Sequence, residues 1–235
     1  MSERSLHRAP DRPGAAAGAE FEGFPEEALD FYEGLEADNS KAYWTDHRAV
    51  HDRCVAAPMK ALLAALEPEF GAAHLFRPYR DVRFSKDKTP YKTHAGAVLG
   101  GDGKAGLYVQ FSADGLYLAG GLWSATTAQA RRLRAALADD ASGPAAVRVL
   151  NALEKRGFEL GGAQLQRIPK PWDADHPRAH LLRRKALTAG LRAAPDEWLH
   201  TATVVDRVAD GWRALAPLNR WLDRHVGPPE RDTER

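Results

Sequence analysis

Leu107-Tyr-Val-Gln-Phe-Ser-Ala-Asp-Gly-Leu-Tyr-Leu118 decides the fold class. Leu107, Val109 and Phe111 alternate with Tyr108 and Gln110, which is the two-residue period of a strand with one face inside. Asp114-Gly115 then turns the chain into a second alternating run, Leu116-Tyr117-Leu118, and the pair reads as an antiparallel hairpin. Upstream, residues 94–99 form a further strand, joined to Leu107 through the turn-prone Gly100-Gly101-Asp102-Gly103. Links this short require antiparallel neighbours.

The flanks change period. Pro25 suits a first helical turn, and Ala28, Leu29, Phe31, Tyr32 and Leu35 follow at helical spacing. Asp38-Asn39-Ser40 can cap the next helix. That helix carries Tyr43 and Trp44, then Val55, Met59, Leu62, Leu63, Leu66 and Phe70 as one stripe. Pro58 within it should kink the helix or start a new one. Residues 125–138 and 144–156 read as helices. Residues 158–160, 165–168 and 185–191 read as short strands. Pro195 opens a long helix bearing Trp198, Val205, Val208, Trp212 and Leu215, and Pro217 is expected to break it before Leu218, Trp221 and Leu222. Helices segregated around an antiparallel sheet make an α+β domain: a central, mostly antiparallel sheet with a helical N-terminal part and a long C-terminal helix.

The 235 residues, 44% apolar and 28% charged, suit a self-sufficient core. Residues 1–20 and 226–235 lack an apolar period and read as disordered tails around a single domain, 21–225. A single cysteine, Cys54, allows no internal disulfide and fits a reducing compartment. No membrane-length apolar run and no apolar signal core is present, so a soluble, cytoplasmic protein with no membrane partner is expected.

Charge is focused in one place. Residues 77–94 hold six Lys/Arg (Arg77, Arg80, Arg83, Lys86, Lys88, Lys92) against Asp81 and Asp87, in a chain whose formal net charge is +1. Residues 79–84 alternate and read as a strand, with Val82, Phe84 and Arg80 on one side and Asp81 and Arg83 on the other. Ser85 to Pro90 forms an extended loop, because Pro90 keeps Thr89 out of the helical region. Tyr91, Lys92 and His94 return to the sheet. Guanidinium forks bind phosphate or carboxylate at two points, and lysines add charge. We therefore read a cationic cleft for a small anionic, phosphorylated ligand. Arg77, Arg80, Arg83, Ser85, Lys86, Tyr91, Lys92 and His94 are its binding candidates. Asp81, Asp87 and Lys88 are the candidates for any chemistry, the two carboxylates as base, metal ligands or positioners of the neighbouring cations. A phosphoester-acting enzyme is one form of this reading. A nucleic-acid-binding module is a rival, weakened by the net acidic remainder of the chain. A purely structural salt-bridge network is another.

The run Arg80-Asp-Val-Arg-Phe-Ser-Lys-Asp-Lys-Thr-Pro-Tyr-Lys-Thr93 resembles the signature of a bacterial and fungal family known as domain of unknown function 2461. The likeness extends over residues 21–222. It includes Asp38-Asn39 before an aromatic pair, Gly120-Gly121-Leu122-Trp123, Leu165-Gln166-Arg167-Ile168-Pro169 and Asp175-His176-Pro177. The chain departs at Asp38, Tyr43-Trp44 and Ser124-Ala125, where asparagine, Trp-Phe and a nearby proline are expected. The resemblance implies an α+β domain and no established activity, cofactor or substrate.

Other groups also carry candidate chemistry. His47, His51 and Cys54 share a helix face that could ligate zinc, but no second ligand cluster accompanies them, and no metal site is assigned. His176 joins Asp173, Asp175 and His180. It is kept as a site candidate because histidine titrates near neutrality, although Asp175 also suits a helix cap ahead of Pro177. Trp123 is kept as a pocket-lining candidate. Gly100-Gly101-Asp102-Gly103-Lys104 lacks the ending of a phosphate loop, and neither a serine nucleophile elbow nor a dinucleotide fingerprint occurs.

Overall fold

The computed structural model describes residues 20–83, 85–101 and 103–230. The expected N-terminal tail up to residue 19, the core-facing place of Phe84, the Asp102 turn position and residues 231–235 lie outside these.

The expected α+β architecture is present. Helix α1 (Glu26–Ala37) leads into α2 (Lys41–Val50), a π-helical segment (His51–Ala56) and α3 (Ala57–Phe70). Strands follow: β1 (His74–Leu75), β2 (His94–Gly100), β3 (Gly106–Ser112) and β4 (Gly115–Leu122). Then come α4 (Thr127–Ala138), α5 (Gly143–Lys155), β5 (Glu159–Gly161), α6 (Ala179–Leu182) and β6 (Leu187–Ala193). A 3₁₀ turn (Glu197–His200) precedes α7 (Thr203–His225). The six strands form one antiparallel sheet in the order β1-β2-β3-β4-β6-β5.

The expected hairpin closes on Ala113-Asp114, with Ser112 facing Gly115. Gly115 takes φ +91°, and a Cβ there would collide with the Ala193 carbonyl oxygen, so both conformation and space require glycine. Alternation sends Leu107, Val109 and Phe111 to one face with Leu116, Leu118 and Gly120, and the helices cover that face. Phe111 stacks on Phe24 at 4.1 Å. Gly211 of α7 lies against Leu118, and Leu215 lies against Gly120. Trp212 is fully buried and donates its Nε1–H to the Tyr108 carbonyl at 3.1 Å. Tyr108, Gln110, Tyr117 and Arg192 occupy the opposite face, where Tyr108 donates to Gln110 and Arg192 lies over the Tyr117 ring.

Several local expectations are corrected. Residues 79–83 do not form a strand: only Tyr79 pairs, with Tyr91, and the chain then leaves the sheet. The segment alternates, but its Asp and Ser side chains and Pro90 favour turns over a continuous ladder. Residues 165–168 are likewise no strand, because only Gln164 bridges, to Arg184. Pro195 opens only the 3₁₀ turn, and the long helix starts afresh at Thr203. Pro217 does not break α7. One lost hydrogen bond is offset by the buried stripe Leu215, Leu218, Trp221 and Leu222. Asp175 caps no helix. Asp173 accepts its backbone N–H at 3.1 Å, and α6 begins only at Ala179. Val226, assigned above to a tail, is buried, and Arg132 reaches the carbonyls of Val226 and Pro228 and the Glu230 carboxylate. Pro58, by contrast, meets its expectation: it sits in the first turn of α3, which starts as a new element directly after the π segment.

Candidate functional site

The cationic run is divided between the two faces of the sheet edge. The Tyr79–Tyr91 bridge is held by Arg80 N–H to the Pro90 carbonyl at 2.9 Å and Lys92 N–H to the Pro78 carbonyl at 2.8 Å. From there alternation sends Leu75, Arg77, Tyr79 and Tyr91 toward the helices, and Arg80 and Lys92 away from them. Tyr91 is buried and stacks on Trp44 at 4.4 Å. Asn39 fixes it from below, accepting the Tyr91 N–H at 3.0 Å and donating to its carbonyl at 3.1 Å.

The outer loop satisfies itself. Arg83 grips Asp81 through both arms, Nε to Oδ1 at 2.9 Å and Nη2 to Oδ2 at 2.6 Å. Arg80 pairs with Asp87 and also donates to Thr89 Oγ1 at 2.6 Å. Asp87 accepts the Thr89 N–H at 2.9 Å, and Lys88 Nζ donates to the Val82 carbonyl at 2.9 Å. These bonds hold both carboxyls below the usual range, Asp81 chiefly through Arg83 and Asp87 chiefly through Thr89. Ser85 and Lys86 face water. Of the roles open to Asp81 and Asp87, this geometry displays the positioning of cations. Lys92 lies over the Phe76 ring at 5.0 Å. Burial, then Arg77 and Arg80, lower its pKa. His94, at the start of β2, is lowered by burial, then by Lys92 and Arg80.

Arg77 takes part in a different feature. Between the helical run 41–70 and the β1 edge lies a cleft of 330 Å³. Arg77, Tyr79, Leu75 and Phe76 form its sheet side, and His94 borders it. Trp44, Arg48, His51, Asp52 and Lys60 form its helical side. Among these, Asp52 is the sole acid, and Arg48 already lies 3.6 Å from it. Trp44 is 5% exposed, and its buried Nε1–H has no acceptor among the described residues.

The π segment explains why these residues share one face. Each four-residue step along an α-helix turns the face by about 40°, so residues 44, 48, 52, 56 and 60 would drift round the cylinder. The wider π turns reverse part of that drift, and such segments recur at functional sites. Alternation and composition draw attention to the charged run; Arg48, Asp52 and Lys60 carry no such signal, Trp44 reads only as a residue of the helix, and His51 only as part of a zinc-spaced face. The four-residue spacing was the available signal.

The remaining candidates lie elsewhere. Trp123 follows β4 at the Gly106 end of the sheet, whereas His94 pairs with Ser112 at the other end, about 20 Å away along a strand. His176 bonds backbone: Nδ1 accepts the Arg178 N–H at 3.0 Å, and Nε2 lies 3.2 Å from the Ala138 carbonyl. His47 stacks on Tyr43, and Cys54 is buried. Among the described residues no three His, Cys, Asp or Glu gather to hold a metal. No helix among them is long and apolar enough to cross a membrane. A second concavity between α5 and α7 carries Arg148, Arg156 and Arg213, but Arg213 is engaged by Glu69 and Asp210.

No curated protein matches the chain. A family model described as conserved hypothetical protein (DUF2461) matches residues 27–221, and the chain belongs to that family.

Proposed function

We propose that this member of the DUF2461 family binds a small anionic, phosphorylated ligand in the cleft between the helical run 41–70 and the β1 edge. The observation that carries the reading is the gathering of Arg48, Lys60 and Arg77 in one concavity against a single lining acid, Asp52. Cations supply charge, the guanidinium of Arg77 a two-point grip, and Trp44 and Tyr79 an aromatic wall for the remainder of the ligand. The reading keeps Arg77 from the charged run and moves the centre of the site to the helix. The outer loop, with its internal ion pairs, serves as the strap that holds Arg77 and Tyr79 in place. This is the structural alternative, confined to residues 80–89.

A thermal-shift series tests it with inorganic phosphate, sulfate, a nucleoside monophosphate, a sugar phosphate and a short oligonucleotide. A ligand at 100 times its Kd stabilises by about 2.7 kcal/mol. That is about 5–10 °C in a domain of this size. Arg77→Ala and Arg48→Ala should abolish the shift, and Lys88→Ala should retain it. Loss in Lys88→Ala alone would place the anion on the outer loop. Silence across the series in the wild type refutes the reading. A response to the oligonucleotide alone, collapsing between low and moderate salt, would favour the nucleic-acid reading.

A further inference from the structure

His51, 7% exposed, is a nearly buried histidine of the cleft wall. It opens the π segment, packs on Trp44 with ring centroids 4.7 Å apart, and is backed by Phe31 at 5.4 Å. Its Nδ1 lies 3.0 Å from Asp52 Oδ1. An ionised carboxylate can only accept, so the proton of the neutral ring sits on Nδ1 and the lone pair on Nε2. Nε2 has no hydrogen-bond partner among the described residues, and the ring lines the cleft. A carboxylate that fixes the tautomer, an imidazole with a free lone pair and a cationic pocket are the parts of a general-base site.

We propose that the cleft hydrolyses phosphoesters, with His51 as the catalytic base and Asp52 as its positioning residue. This rests on the anion-cleft reading above. Water attacks phosphorus and its O–P bond forms while His51 Nε2 takes the proton. The ester P–O bond breaks, and its electron pair leaves on the alcohol oxygen. The proton on His51 then passes through solvent to that oxygen, and the products are the alcohol and phosphate. Arg48, Lys60 and Arg77 balance the charge on the phosphoryl oxygens. Burial outweighs Asp52 and lowers the His51 pKa, so the ring is neutral and able to accept a proton at neutral pH. The groups that bear on it are Arg48 and Asp52 on its own helical run, Lys60 on α3, Arg77 beyond β1 and the Tyr32 hydroxyl of α1.

The test uses the full chain with p-nitrophenyl phosphate and bis(p-nitrophenyl) phosphate. Their leaving group needs no proton, so the step at His51 is isolated. The wild type should release nitrophenolate, and His51→Gln should lower kcat by about 100-fold or more while keeping the thermal shift with inorganic phosphate. Asp52→Asn, at an exposed position, covers the case in which His51→Gln does not fold. It should lower kcat and move the acid limb of the pH–rate profile to lower pH, since the imidazolium loses its carboxylate. Turnover unchanged in His51→Gln, or an Asp52→Asn profile identical to the wild type, overturns the inference. A wild type that is stabilised by phosphate yet turns over neither probe overturns it too, and leaves the binding reading standing. Absence of any phosphate shift removes both.

Discussion

His94 and His51 should make the fold sensitive to mild acid. Each is partly or wholly withdrawn from water, and burial is the first cause that lowers its pKa. Lys92 and Arg80 add to it at His94, and Asp52 opposes it at His51, where Arg48, Lys60 and Arg77 also face the ring. A histidine lowered in the folded chain is protonated first in the unfolded chain. Stability is therefore full above the ordinary imidazole value of about 6.5 and falls as pH drops below it toward the folded pKa. Asp52, Asp81 and Asp87, all lowered by hydrogen bonds, contribute stability above the ordinary carboxylate range that is lost as pH falls through their folded pKa. Urea midpoints should thus decline in two stages, one below about pH 6.5 and one below about pH 4. His94→Gln should flatten the first stage; an unchanged slope there would refute this account. At this scale the sequence showed which residues are charged and not which pair. Arg83 reaches Asp81, two residues away, and Arg80 reaches Asp87, seven away, only because backbone turns bring them together.

Helix and strand periods made most elements legible. The 107–118 hairpin, α1, α4 and α5 lie where alternation and 3.6-residue spacing put them, because each has an apolar face to bury. Period alone failed at 79–83, which alternates without a neighbour to pair beyond Tyr79. It also failed in the helical run 41–70, where the π turns re-aim side chains without leaving a mark on composition. Asn39 ties these two parts together through the Tyr91 backbone. Asn39→Ala leaves a donor and an acceptor of a buried residue unpaired, a cost of about 1–3 kcal/mol. Each kcal/mol lowers the melting temperature by about 2–4 °C. The phosphate-induced shift should shrink as well, since Tyr91 backs the cleft-lining Trp44 by stacking on it. A variant that melts like the wild type would show that Asn39 does not anchor the strap.

The whole molecule separates stability from the site. α7 seals the helical face of the sheet through Trp212, Leu215 and Leu218, and none of the cleft-lining residues comes from α7. Trp212→Ala removes a fully buried indole, its hydrogen bond to the Tyr108 carbonyl and its edge contact with Phe70 at 5.2 Å. The cost expected for such a truncation is about 3–5 kcal/mol. Arg77 is exposed and packs little, so Arg77→Ala should leave the unliganded melting temperature nearly unchanged. The two variants should therefore differ in opposite ways. Trp212→Ala should melt well below the wild type and still gain the full increment from phosphate. Arg77→Ala should melt normally and gain none. Calorimetry with and without phosphate reads both quantities at once. Equal loss of the increment in both variants would mean that the cleft depends on the packing of α7, and the separation argued from its lining residues would be wrong.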